Sequence, residues 1–276
     1  MIHYQFTFKP ISESQKELFI ALLDEMGFTG FEEGPVVLDA FIPGDKFDDS
    51  LFRGVMDKTG IIPLLSEVPE QNWNAEWEAG FEPVIICNPV SDKPFVYLRA
   101  IFHPQNDDAP IDLVITPKMS FGTGHHPTTS LMIEQMSLLD FNDKKVLDFG
   151  TGTGVLAILA EKLGASTIYA IDNDDWSILN ATENIAANNC TKIIVEKRES
   201  PSQQSDIILA NINRNIITAN LAALVLCCNI GGKILFSGIL VTDKDFITKE
   251  FNKHNIEVLN YMQKDNWLCI ITVRDK

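Results

Sequence analysis

Three glycines at alternate positions, Gly150, Gly152 and Gly154, follow an acidic residue, Asp148, in the run VLDFGTGTG. Residues 146–149 read as a strand and 155–163 as a helix, so the glycines fall in a strand-to-helix turn. In an open α/β sheet such a turn lies at the carboxyl edge, where ligands bind. Glycine there lets a bulky ligand approach the backbone with no Cβ in the way. Dinucleotide sites usually space their glycines GxGxxG and aim a helix N-terminus at a pyrophosphate. Here the spacing is GxGxG, and a carboxylate two residues before the first glycine would repel a pyrophosphate. Asp148 suits instead the α-amino group and sulfonium of S-adenosylmethionine, which carries no phosphate. That cofactor is the preferred reading and NAD the alternative. The chemistry would be methyl transfer. Asp172 ends the next strand, 22 residues after Gly150, where an acid accepts hydrogen bonds from ribose hydroxyls. It supports an adenosine ribose without choosing between the cofactors.

Two further segments carry chemical groups. Residues 119–136, MSFGTGHHPTTSLMIEQM, are a glycine-containing loop running into a helix at Pro127, the first-turn position that proline favours. His125 and His126 lack a third ligand at metal-binding spacing, so no metal is expected and the loop reads as a polar lid. Downstream, DIILANIN (206–213) places Asn211 at the carboxyl edge of the fourth strand. Methyltransferases of adenine bases or glutamine amides carry (N/D)PP(Y/F) at this position. The tetrad Asn211-Ile212-Asn213-Arg214 lacks both prolines and the ring. An amine target needs no stacking platform, and Asn211 could orient it. The amine must attack deprotonated, and no general base stands out in the sequence.

These groups need a scaffold. Residues 1–68 alternate as strand 2–8, helix 12–26, strands 28–32 and 36–41, helix 47–58 and strand 61–68, the order of a small α+β ferredoxin-like domain. The helix at 12–26 opens on the capping pair Ser12 and Gln15. This domain carries 12 acids and 5 bases but no glycine loop or nucleophile set, so it reads as a recognition module. Residues 69–94, with Pro83, Pro89 and Pro94, read as a linker in which Trp73 and Trp77 would share a helix face. Residues 95–276 read as the catalytic domain. Its strands at 146–149, 167–172, 192–196, 206–211 and 233–237 alternate with helices, which implies a buried parallel sheet. Strands at 256–263 and 267–273, three residues apart, must form an antiparallel hairpin. The expected fold is α/β, a seven-stranded Rossmann-like class I methyltransferase domain behind the ferredoxin-like one.

Composition narrows the partners. The 38 acids against 22 bases give a net charge of -16, which disfavours a nucleic-acid substrate and would steer a basic protein inward. No apolar run approaches the ~18 residues of a membrane span, and the N-terminus lacks a signal peptide's pattern. Five cysteines without a framework suggest reduced thiols and a cytoplasmic address. A monomer is expected.

The FGTGHHPTT loop, the glycine motif, the ANI strand end and LFSGIL (235–240) occur in the order found in the ribosomal protein L11 methyltransferase family (PrmA), which the chain closely resembles. The resemblance implies cofactor contacts at Thr129, Gly150, Gly152, Asp172 and Asn211, with Asn211 also at the catalytic position. It implies a ferredoxin-like domain that binds ribosomal protein L11, methylated on lysine side chains and on the N-terminal amine. This chain reads GTGTG where the family usually has GCGSG, and Asn213 where it has leucine. Other readings are a methyltransferase of another protein or small amine, and a cofactor-binding regulatory module without turnover.

Overall fold

The computed structural model describes residues 2–28, 30–59, 61–69, 82–106, 108–116 and 122–275, and the chain divides into two compact units, Met1–Ala79 and Gly80–Lys276. The proposed Trp73–Trp77 face and the start of the FGTG loop lie outside the described residues.

In the first unit, β1 (Ile2–Phe8), α1 (Glu13–Glu25), β2 (Gly30–Gly34), β3 (Val37–Pro43), α2 (Asp49–Thr59) and β4 (Leu64–Pro69) follow one another. The sheet is antiparallel throughout, in the order β2-β3-β1-β4. Strand alternation turns Phe6 and Phe8 of β1 and Leu38, Ala40 and Ile42 of β3 to one face, where Phe19, Leu23 and Phe52 of the helices bury them. Ser12 caps α1, its backbone N–H donating to Gln15 Oε1 at 3.0 Å.

The second unit begins with a small sheet. β5 (Val84–Cys87) pairs antiparallel with β6 (Pro94–Arg99), and β6 parallel with β7 (Ile111–Val114). Residues 84–94, assigned to the linker from their prolines, therefore belong to this folded unit. Pro83 and Pro94 sit at strand boundaries and Pro89 in the turn, positions where a missing N–H breaks no ladder bond. Among the described residues β7 has no strand partner on its far side. Asn188 takes that place, accepting from Val114 N at 2.9 Å and donating to Val114 O at 2.6 Å.

The main sheet has seven strands in the order β10-β9-β8-β11-β12-β14-β13. In chain order the unit continues α3 (Pro127–Met136), β8 (Lys145–Phe149), α4 (Val155–Lys162), β9 (Thr167–Asp172), α5 (Asp175–Ala187), β10 (Ile193–Lys197), β11 (Ser205–Asn211), α6 (Arg214–Cys227), β12 (Cys228–Leu240), α7 (Lys244–Lys253), β13 (Ile256–Lys264) and β14 (Trp267–Arg274). The pairs from β10 to β12 are parallel, and β14 lies antiparallel to both β12 and β13. The chain winds outward from β8 through β9 to β10, then returns to the other side of β8 at β11. The carboxyl ends of β8 and β11 thus flank a topological switch point, the place where open α/β sheets hold ligands. Apolar cores lie on both faces, one under α3, α4 and α5 and the other under α6 and α7. No helix among the described residues is long and apolar enough to cross a membrane.

The last strand also finishes a helix. Arg274 Nη1 donates to Val225 O at 2.8 Å and to Cys228 O at 2.6 Å, adding a side-chain donor at the end of α6, where Cys228 N also donates to Val225 O. Arg274→Ala should lower the stability of the second unit by about 1–2 kcal/mol, read from the urea midpoint of its transition. An unchanged midpoint would show that water serves these carbonyls equally well.

Candidate active site

The glycine turn is held from behind. Gly150 N and Thr151 N both donate to Ile171 O, at 2.9 and 3.0 Å. Gly152 N donates to Asp172 Oδ2 at 2.9 Å, and Gly154 N to Thr151 O at 2.9 Å. These amides are turned toward β9 or into the turn itself. An anion-binding loop would hold such amides toward its ligand. Asn184 of α5 braces the turn further, donating from Nδ2 to Thr153 O and accepting from Thr116 N, both at 2.9 Å.

Asp148 is 1% exposed and does not line the crevice. The structure places its carboxylate beneath the turn, where Thr151 Oγ1 donates to Oδ2 at 2.6 Å. The expectation that it faces a ligand's cationic groups is corrected: strand alternation points it inward from β8. Burial pushes its carboxyl up to about 7, partly offset by the Thr151 hydrogen bond.

A cavity of about 400 Å³ opens at the switch point. One wall carries Gly150, Gly152, Asp172, Asn173 and Ser177, with Arg198 and Glu199 beyond the end of β10. Asp172 reaches the cavity while its Oδ1 also accepts from Asp174 N at 3.1 Å, so the carboxylate is fixed in place. The other wall carries His126, Thr128, Asn211, Ile212, Gly238 and Trp267.

The expected residues separate into two layers. Gly150, Gly152, Asp172 and Asn211 line the cavity, whereas Thr129 stands one layer back. Thr129 is fully buried, and its Oγ1 accepts from Asn211 Nδ2 at 3.4 Å. It thereby turns Asn211 Oδ1 the other way, and that oxygen is buried with no hydrogen-bond partner among the described residues. Thr128, the first threonine of the pair, lines the cavity instead.

His126 and Trp267 are the groups that sequence reasoning left without a role. His126 caps α3, its Nδ1 accepting from Thr128 N at 3.3 Å, and its ring meets the Trp267 indole edge-on at 4.9 Å. Burial holds its pKa below the usual histidine value, so the ring is neutral at pH 7. His125 faces elsewhere, with Nε2 2.9 Å from Glu82 O. Among the described residues no three His, Cys, Asp or Glu side chains group as metal ligands. The helix capping by His126 could have been read from its position just before Pro127. The meeting with Trp267, 141 residues later in the numbering, carries no local signal.

A doubly wound sheet with a crevice at its switch point, beside a glycine turn whose amides are spent inside the protein, is the architecture of an α/β methyltransferase. The chain belongs to the ribosomal protein L11 methyltransferase (PrmA) family, whose model matches residues 47–275. It is 35% identical over 98% of its length to the ribosomal protein L11 methyltransferase of Bacteroides thetaiotaomicron, covering 99% of that protein. It is 36% identical to the Chlorobaculum parvum protein of the same name, covering 98% of this chain and 96% of the relative. A solved ribosomal protein L11 methylase from Lactobacillus delbrueckii subsp. bulgaricus superposes with a TM-score of 0.60 at 27% identity, over 70% of this chain and 99% of that one.

Asp148 makes the pH dependence testable. Its carboxyl stays protonated in the folded protein up to about pH 7, whereas the unfolded chain ionises it near pH 3.9. Its contribution to stability is therefore complete below the unfolded pKa and is lost as pH rises toward 7. Between pH 5 and pH 8, the thermal midpoint of Asp148→Asn should rise relative to wild type. Parallel shifts in the two proteins would rule out a buried titrating carboxyl.

Proposed function

We propose that this chain transfers methyl groups from S-adenosylmethionine to amino groups of ribosomal protein L11, on lysine side chains and the N-terminal amine. The observation that carries the reading is the pairing, in one crevice, of a carboxylate fixed in place, Asp172, with Asn211 at the carboxyl end of β11. The residues fit this cofactor: the wall of Gly150 and Gly152 offers no free amide cluster for a pyrophosphate, and Asp172 can accept from ribose hydroxyls. When bound, the cofactor supplies a sulfonium methyl that is already activated toward displacement. The chain's own residues then have to bind, orient and exclude water.

Asn211 Oδ1 accepts an N–H of the target amine and aims its lone pair. Thr129 holds the Asn211 amide so that the oxygen, and not the nitrogen, faces the amine. The Trp267 indole and the His126 ring, whose pKa burial holds down, are two groups of this wall that bring no positive charge toward an amine. That matters because a lysine amine, with a pKa of about 10.4, attacks only after losing its proton. Transfer should therefore quicken with rising pH.

The four-stranded first unit, with its β-α-β-β-α-β order, is read as a ferredoxin-like module that recognises the substrate. The chain's acidity, 38 acids to 22 bases, favours a basic protein over a nucleic acid. We read the protein as a cytoplasmic monomer. Its working division is a recognition domain to residue 68 and a catalytic domain that includes the β5–β7 sheet.

Isolated L11 incubated with the enzyme and radiolabelled S-adenosylmethionine should acquire label on amino groups. Asn211→Ala should lower kcat about 10²-fold with little change in cofactor Kd, whereas Asp172→Ala should chiefly raise that Kd. Cofactor binding without label on L11, equal in wild type and Asn211→Ala, would favour a regulatory module. Label on other proteins or small amines alone would redirect the substrate.

A further inference from the structure

The LFSGIL segment has no ligand-binding group in its side chains, yet it touches the site at two points. Along β12, Phe236 pairs with Ile270 of β14 and Ile239 with Leu268, so three steps on β12 oppose two on β14. Ser237 and Gly238 thus form a β-bulge at the crevice, a device that re-aims a strand. Ser237 Oγ donates to Leu268 O at 2.9 Å in a fully buried position, tying the bulge to β14 one residue from Trp267.

Gly238 has φ of 80°, in the left-handed region. A Cβ there would lie 2.2 Å from Ile212 O and 2.7 Å from Ile212 C. The obstacle is backbone, which cannot swing aside as a side chain can. Ile212 meets a second glycine on its opposite flank: a Cβ on Gly150, φ 76°, would lie 2.4 Å from Ile212 Cγ2. The residue that follows Asn211 is therefore clasped between the glycine turn and the β12 bulge. Neither glycine is explained by room for a ligand alone.

We propose that Gly238 is a positioning residue for the methyl acceptor: the Ser237–Gly238 bulge sets, through the Ile212 backbone, where Asn211 presents its oxygen, and, through Leu268, where Trp267 stands. This rests on the reading of Asn211 as the group that orients the amine. Ribose binding falls to the other wall, where Asp172 is fixed by Gly152 N and Asp174 N without help from β12. The bulge should consequently govern transfer more than cofactor affinity.

The test uses full-length Gly238→Ala with L11 and radiolabelled S-adenosylmethionine, together with calorimetric titration of the cofactor. A displacement of the order of 1 Å at a reacting group costs about 10²-fold in rate. The expected result is a kcat about 10²-fold lower, with cofactor Kd within about threefold of wild type. Ser237→Ala is the milder variant should Gly238→Ala fail to fold; it loses one buried hydrogen bond and should lower kcat about tenfold at the same Kd. A second comparison separates the two glycines. Ile212→Ala should recover part of the binding lost in Gly150→Ala, whose obstacle is the Ile212 side chain, but none of the rate lost in Gly238→Ala, whose obstacle is backbone. Unchanged kcat in the bulge variants, or kcat and cofactor affinity falling together, overturns the inference while wild type still labels L11. No label on L11 from wild type overturns the substrate reading itself and the inference with it.

Discussion

The site depends on where four backbone amides point. Gly150, Thr151, Gly152 and Gly154 spend their N–H groups on Ile171 O, the Asp172 carboxylate and Thr151 O. A left-handed turn built this way is rigid before any ligand arrives, and it offers no cluster of donors to an anion. The same bonds lock Asp172, because its carboxylate closes the turn and also accepts from the start of the next helix. Cofactor preference thus follows from hydrogen-bond accounting inside the protein more than from any single residue reaching outward. Asp148 belongs to this inner accounting, holding Thr151 from below.

Around that turn the crevice is asymmetric. The wall of Gly150, Gly152 and Asp172 is fixed by bonds between consecutive parallel strands, where register leaves little freedom. The opposite wall is assembled from segments far apart in the chain: His126 caps α3 and Thr129 lies in its first turn, Asn211 ends β11, and Trp267 opens β14. Such a wall is held by side-chain contacts and one bulge.

The parallel strands were legible because buried strands leave continuous apolar runs, and the turn because glycine spacing and Asp172 are local patterns. Asn211 was legible only as a strand end in a recognised order of segments. Thr129 was expected as a cofactor contact; it is fully buried against Asn211, while its neighbour Thr128, equally buried, lines the cavity, a difference adjacent positions do not announce. Asp148 was read as facing the ligand because its chemistry suited one, while the pleat of β8 decides its direction. The β5–β7 sheet was missed because prolines that bound short strands look like a linker. Asn188, paired to Val114 like a strand residue, supplies by side chain what periodicity cannot announce. The role of Gly238 lay beyond reach for the same reason: its partner, the Ile212 carbonyl, is apparent only in three dimensions.

The order of the sheet has a consequence for how this unit is made. β14 lies between β12 and β13, although it follows both in the chain. The sheet therefore cannot zip up as its strands emerge from the ribosome. β13 must wait without its neighbour, and the end of α6 without the Arg274 side chain, until residues 267–274 are free to insert. Trp267 enters the crevice in the same event, so the wall it shares with His126 is completed by the last strand to join the sheet, after the strands that flank the glycine turn.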